Sequence, residues 1–228
     1  MIAHGRGEAF DYLLGEVTSE SAMSAIRETS ARLLSAERPA ISVNGNTVVL
    51  AGEDLIRVAA VVGCPIEVNL YYRTPERVSG LLDRLSEQRE RVAAGAAPQG
   101  WSGDWRKAVE SVELLGEAAD HRIPGLEGPR AMCCWDGIGC ADVVLVPLED
   151  GDRCEALVAA GKQVLVIDLN PLSRTSMTAT VTIVDEVSRA SSKLLGQVVA
   201  GERESRYWDN AAALNAALDI ISNASVDA

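Results

Sequence analysis

Three short apolar runs, ADVVLVP (141–147), QVLVI (163–167) and TVTIV (180–184), limit what this chain can fold into more than any other feature. Helix-length segments at 153–160 and 185–199 alternate with them. Strands apolar on both faces and separated by helices predict a parallel sheet covered on both sides. The remainder is consistent with that pattern. An interrupted apolar face with Ser19 as N-cap predicts a helix over 19–36. Residues 40–43 and 47–51 read as strands around the turn Asn44-Gly45-Asn46, since Asn-Gly tolerates positive φ and favours hairpins. A helix at 53–62, a strand at 65–72 and a charged helix at 75–94 follow. The Gly- and Trp-containing stretch 95–107 reads as a connection outside the core. A short strand is expected near 112–115, an irregular stretch over 121–130 and a terminal helix over 207–222. The expected architecture is α/β and Rossmann-like: a mainly parallel sheet with helices on both faces, in a single domain spanning 1–228.

The formal net charge of −12 argues against nonspecific nucleic-acid binding, which needs a basic surface to displace counterions. No run of about 18 uncharged apolar residues is present, so no membrane span is expected. The N-terminal MIAHGRGEAF lacks an apolar leader core, which makes a cytoplasmic location the default. Five cysteines with no export signal read as buried thiols. Cys133, Cys134 and Cys140, with His121 upstream, lack the paired spacing that a zinc site usually has.

In open parallel sheets, ligands bind beyond the carboxyl ends of the strands. Two polar loops hold that position, LEDGD (148–152) and DLNPLSRT (168–175), and adjacent strands would set them side by side. In the second, Asp168 can accept from a ribose, Asn170 offers donors and an acceptor, Arg174 supplies a planar fork for phosphate, and Thr175 adds a hydroxyl. The structural alternative is an Asx-turn with a surface arginine. In the first, Asp152 with Glu155 matches a capping pattern. Asp150 is a candidate ligand for Mg²⁺, which takes few carboxylates, and turn chemistry around Gly151 is the alternative. Neither a P-loop nor a G-x-G-x-x-G fingerprint is present, so a nucleotide would be held without a glycine cradle. At the N-terminus, His4, Arg6 and Glu8 lie in a glycine-spaced segment that could approach a ligand closely; the alternative is a solvated chain end.

The segments IAHGRGEAFDYLLGE (2–16), SVNGN (42–46), IEVNLYYRT (66–74), RIPGLE (122–127), ADVVLVPLEDGD (141–152), IDLNPLSRT (167–175) and TIVDEVSRA (182–190) occur in that order. In them the chain resembles the archaeal 4-phosphopantoate–β-alanine ligase family, also called phosphopantothenate synthetase, from residue 2 to about 199. The resemblance implies a homodimeric Rossmann-like enzyme of coenzyme A biosynthesis that uses ATP and releases AMP and diphosphate. It implies ATP contacts at Arg6, at Asp168, Leu169 and Asn170, at Arg174 and Thr175, and at Glu186 and Val187. Where the family often has Asn-Ile after the TIVD aspartate, this chain has Glu186-Val187. Family members usually carry a further N-terminal segment with its own arginine on ATP, ahead of the HGRGEAF motif. Its absence before Met1 is expected to mean a truncation or a protein that does without that arginine, with a nucleotide-binding protein of incomplete activity as the alternative.

On that reading the chemistry is amide formation from a carboxylate, a poor electrophile. Attack on the α-phosphorus of ATP gives an acyl-adenylate, which the amine of β-alanine then opens. Charge spreads over phosphoryl oxygens, so positioning and neutralisation dominate catalysis. Arg6 and Arg174, with Mg²⁺, are the expected catalytic groups, and His4 could orient substrate or relay a proton. Asn44, Asn46 and Arg73 are expected to line the acid's site, with Arg77 and Arg130 as further basic groups nearby.

Overall fold

The computed structural model describes residues 9–205 and 207–224. Its elements run in chain order as α1 (Glu20–Ser35), β1 (Pro39–Val43), α2 (Gly45–Val62), β2 (Ile66–Val68), α3 (Pro75–Ala94), α4 (Trp105–Glu110), β3 (Leu114–Leu115), β4 (His121–Arg122) and β5 (Met132–Cys133). Then come β6 (Val143–Pro147), α5 (Gly151–Ala159), β7 (Gln163–Ile167), α6 (Arg174–Thr178), β8 (Val181–Ile183), α7 (Val187–Ala200) and α8 (Asn210–Ser222).

Six strands form one sheet in the order β3-β2-β1-β6-β7-β8, every neighbouring pair parallel. The chain builds outward from β1 to β3, then returns to start β6 on the other side of β1. Strand order therefore reverses between β1 and β6, and this switch point is where such sheets open a crevice. Side chains alternate between two cores. Ile41, Val43, Leu145, Leu165, Ile167 and Ile183 pack beneath α1, α2, α3 and α7. Ala40, Val144, Val146, Val164 and Val166 face α5 and an insert formed by residues 121–141. The α/β expectation holds, with one addition: half of the second face is covered by that insert and its small β4–β5 pair instead of a helix.

The hairpin expected around Asn44-Gly45-Asn46 is not formed. Asn44 is the N-cap of α2, its Oδ1 accepting from the amides of Asn46 and Thr47 at 3.0 and 3.1 Å. Residues 47–51 are thus helical although Thr47, Val48 and Val49 are β-branched. Val48 and Leu55 are fully buried, and tertiary packing overrides their strand preference. Gly63, at φ +79°, closes this helix by donating to the Ala59 carbonyl at 2.7 Å. The stretch 95–107 is also less peripheral than expected: Trp105 is buried, packs edge-on against Trp101, and its indole donates to the Val92 carbonyl at 3.2 Å. All five cysteines are free, and burial pushes the Cys133 thiol up to about 12. Among the described residues no group of side chains is arranged to hold a metal ion, and no helix is long and apolar enough to cross a membrane.

Candidate active site

The carboxyl ends of β1, β2, β6, β7 and β8 supply most of the site, and the insert over residues 121–141 adds Glu127 and Arg130. The two polar rims lie side by side, as expected. Thr175 Oγ1 donates to the Glu149 carbonyl at 3.0 Å, and the Leu148 amide donates to the Ile167 carbonyl at 3.1 Å. Across the switch point, Asn44 Nδ2 donates to the Leu148 carbonyl at 2.8 Å, so one asparagine caps α2 and fastens β1's end to the loop after β6.

The rim after β7 is self-supporting. Asp168 accepts from the Asn170 amide at 2.9 Å and from Ser173 Oγ at 2.5 Å, while Asn170 Oδ1 accepts from the Leu172 amide. Burial pushes the Asp168 carboxyl up, against these hydrogen bonds. The Asx-turn considered from the sequence is therefore present, and it shapes the loop that carries Arg174. Leu169 packs with Leu14, Val184 and Leu214. Arg174 stays more than half exposed, paired with Asp152 and, at 3.2 Å, with Glu155. Gly151 lies close beneath it: a Cβ there would stand 2.7 Å from Arg174 Nε.

After β8, Glu186 is the N-cap of α7, both carboxylate oxygens accepting from its first amides, and Val187 is buried. What these two positions offer a ligand is main chain. Asp185 is buried and accepts from Thr18 Oγ1 and Arg189 Nε, each at 2.7 Å, and Arg189 also reaches Asp11 at 2.5 Å. Residues 11–18 are thereby tied to the end of β8. His4 and Arg6 lie outside the described residues.

In the loop after β6 the capping expectation is corrected by two residues. Asp150, not Asp152, caps α5, accepting from the Arg153 amide at 3.0 Å. The same oxygen lies 3.3 Å from Arg130 Nη1. Asp152 turns outward to Arg130, at 2.7 Å, and to Arg174. A carboxylate already shared between a helix cap and a guanidinium does not suit a resident Mg²⁺, and Asp150 does not fit that role.

At the switch point itself an inner cleft of about 250 Å³ is lined by Asn44, Asn46, Asn69, Arg77, Glu149 and Arg153, among others. An outer cleft of about 420 Å³, lined by Arg73, Thr74 and Glu127, shares Tyr71, Tyr72 and Arg130 with it. Arg130 lies 4.9 Å over the Tyr71 ring, and the Arg73 guanidinium turns inward to donate to the Gly116 carbonyl. Asn44 and Asn46 thus line the inner cleft, and Arg73 borders the outer one. Sequence reasoning missed the most buried members. Arg153 is 2% exposed, with Nη1 donating to the Arg130 carbonyl at 2.6 Å and Nε 3.3 Å from Glu149 Oε2. Burial pushes the Glu149 carboxyl up despite that neighbour. Asn69 is 4% exposed. Beneath the cleft, buried Glu67 accepts from the Cys134 amide at 3.0 Å and the Ile138 amide at 2.8 Å, fastening the insert to β2.

A parallel sheet with reversed strand order, a polar rim beyond β7 and a buried guanidinium at the switch point define a Rossmann-like α/β protein. Comparison with known proteins narrows this class. A family model described as phosphopantothenate/pantothenate synthetase matches residues 21–224, and the chain belongs to that family. It is 47% identical over 194 residues to the 4-phosphopantoate–β-alanine ligase of Thermococcus onnurineus, covering 85% of this chain and 67% of that protein. The proteins of the same name from Thermococcus kodakarensis and Methanospirillum hungatei are 47% and 46% identical, covering 86% and 85% of this chain and 67% and 70% of theirs. The chain spans about two thirds of the length of these relatives.

Proposed function

We propose that this protein is an ATP-dependent ligase that condenses 4-phosphopantoate with β-alanine, giving 4′-phosphopantothenate, AMP and diphosphate on the way to coenzyme A. The observation that carries the reading is the direct joining of the β6 and β7 rims beside a cleft of buried and half-buried arginines. The relatives' shared name supplies the reaction. ATP lies along the rims at 168–175 and 186–187, with its phosphates toward Arg174. Asp168 and Asn170 shape that rim, Thr175 locks it to Glu149, and Glu186 and Val187 present main-chain groups. Arg6 is the further contact that the family resemblance supplies, with His4 to orient substrate or relay a proton.

The acid's phosphate occupies the outer cleft, where Arg73 and Arg130 line the wall. Its carboxylate reaches past Asn44 and Leu148 toward the α-phosphorus. Oxygen attack forms the mixed anhydride and expels diphosphate; the β-alanine nitrogen then forms the amide and releases AMP. The residues contribute charge neutralisation and alignment, the terms that dominate phosphoryl transfer. Mg²⁺ accompanies the nucleotide's phosphates instead of occupying a protein-built site. The reading also takes the chain as a single-domain, cytoplasmic homodimer.

The test is AMP and diphosphate release with each substrate withheld in turn. Product formation that requires both 4-phosphopantoate and β-alanine is the expected result, and ATP turnover indifferent to β-alanine removes the assignment.

A further inference from the structure

Three buried polar atoms of the inner cleft, Asn69 Oδ1 and Arg153 Nε and Nη2, have no hydrogen-bond partner among the described residues. Asn69 Nδ2 donates to Ser42 Oγ at 3.2 Å and toward the Glu67 carbonyl at 3.4 Å, which fixes the amide's orientation, and Oδ1 accepts from nothing. Arg153 uses Nη1 on the Arg130 carbonyl; Nε stands 3.3 Å from Glu149 Oε2 as an ion pair without a hydrogen bond, and Nη2 has no acceptor at all. Both side chains line the same cleft. A lone acceptor and a lone cationic donor, both withdrawn from water, cost stability unless a ligand completes them.

We propose that Asn69 and Arg153 together recognise the α-hydroxy-carboxylate unit of the acid substrate, the hydroxyl donating to Asn69 Oδ1 and a carboxylate oxygen accepting from Arg153 Nη2. This rests on the ligase reading and specifies which end of the acid enters the inner cleft. An α-hydroxy acid carries one donor and one anionic acceptor on neighbouring carbons, the complement of this pair. β-Alanine is a poorer match: with its carboxylate on Arg153 it has no hydroxyl for Asn69, and an ammonium there would sit beside a guanidinium. The acid's phosphate belongs in the outer cleft, and the shared walls Tyr71, Tyr72 and Arg130 let one molecule span both. Holding one carboxylate oxygen on Arg153 leaves the other free to attack.

The experiment compares 4-phosphopantoate with its 2-deoxy analogue by AMP release. In the wild-type protein, kcat/KM for the deoxy acid is expected to fall at least about tenfold, because the analogue leaves a buried acceptor unpaired. In Asn69→Ala the penalty falls on 4-phosphopantoate alone, so the two acids come within about threefold of each other, as in a cycle between residue and hydroxyl. Asn69→Ser, whose shorter side chain cannot reach the hydroxyl, gives the same collapse should the alanine variant not fold. Arg153→Lys raises KM for both acids about tenfold, with the KM for β-alanine unmoved. Discrimination that survives in the Asn69 variants, or an Arg153→Lys effect confined to β-alanine, overturns the proposal. A wild-type protein forming AMP equally from both acids overturns this inference and leaves the ligase reading standing; one forming AMP from neither overturns both.

Discussion

Asn44 and Leu148, 104 positions apart, meet across the point where strand order reverses: the asparagine's Nδ2 donates to the leucine carbonyl at 2.8 Å. Its Oδ1 meanwhile holds the first amides of α2. One side chain thus closes a helix and sets the spacing of the crevice.

Replacing Asn44 by alanine removes the cap and the cross-strand bond together. A lost N-cap costs about 1–2 kcal/mol, and a lost hydrogen bond adds about 1 kcal/mol. Denaturant unfolding is expected to report a loss in that combined range, with AMP formation reduced beyond what the folded fraction explains. Asn44→Asp retains the cap but not the donor, so it should recover stability more than activity.

Arg174 reaches over Gly151, and its partners Asp152 and Glu155 are themselves partly exposed. Exposed pairs contribute at most about 1 kcal/mol, so Arg174→Ala should leave thermal stability nearly intact. ATP binding or turnover is expected to weaken at least about tenfold, or about 1.4 kcal/mol. Gly151→Ala tests placement separately, since the added carbon would displace the guanidinium without deleting it. Its ATP affinity, measured by calorimetric titration, should fall in the same direction.

Asp168 spends its carboxylate oxygens on Asn170 and Ser173. On the proposed reading it acts on ATP by holding the loop's shape. Asp168→Ala should therefore lower ATP affinity at least about tenfold and stability by about 1–3 kcal/mol. Asp168→Asn, which still accepts from the Asn170 amide, should lose far less of either. Equal losses in both variants would mean the charge itself matters.

Glu67 gives a pH signature. Burial, its largest influence, raises its pKa above the usual 4.5 and outweighs the Ile138 and Cys134 amides and the Arg153 charge. Because the folded pKa is the higher one, the folded state binds more protons, and Glu67's contribution to stability is full below pH 4.5 and lost as pH rises through the raised value. Glu67→Gln lacks this titration and can accept only one of the two amides. The gap in unfolding free energy between wild type and variant should be widest in mild acid and narrow toward neutral pH. A gap that widens with pH would contradict the assignment.

Much of the frame was legible in the sequence because β6 and β7 carry long apolar runs and β8 a shorter one interrupted only by Thr182, and their rims follow directly from strand direction. The failures have physical causes. Asn44-Gly45 is equally good as a hairpin turn and as a cap with its first helical residue, and only the burial of Val48 and Leu55 decides between them. Asp150 and Asp152 flank the same glycine, and which one caps α5 depends on whether the helix begins before or after Gly151, a boundary that the local pattern leaves open. Arg153 follows a polar loop and reads as the start of a surface helix. That it is buried depends on Glu149 and on the Arg130 carbonyl, partners the local pattern does not reveal. Glu67 lies in a strand too short to show alternation, and the amides that satisfy it come from a segment with no regular pattern.

The insert over residues 121–141 packs on the sheet through Ile123, Leu126, Ala131, Cys133 and Ile138, is tied to β2 by Glu67 and to α5 by Arg153, and delivers Arg130 to both clefts. One wall of each cleft is therefore supplied by a segment that contributes none of the six sheet strands. On the proposed reading, exchanging the turn between β4 and β5 among relatives is expected to retune which acid is admitted while the six-stranded platform and the rim beyond β7 stay as they are.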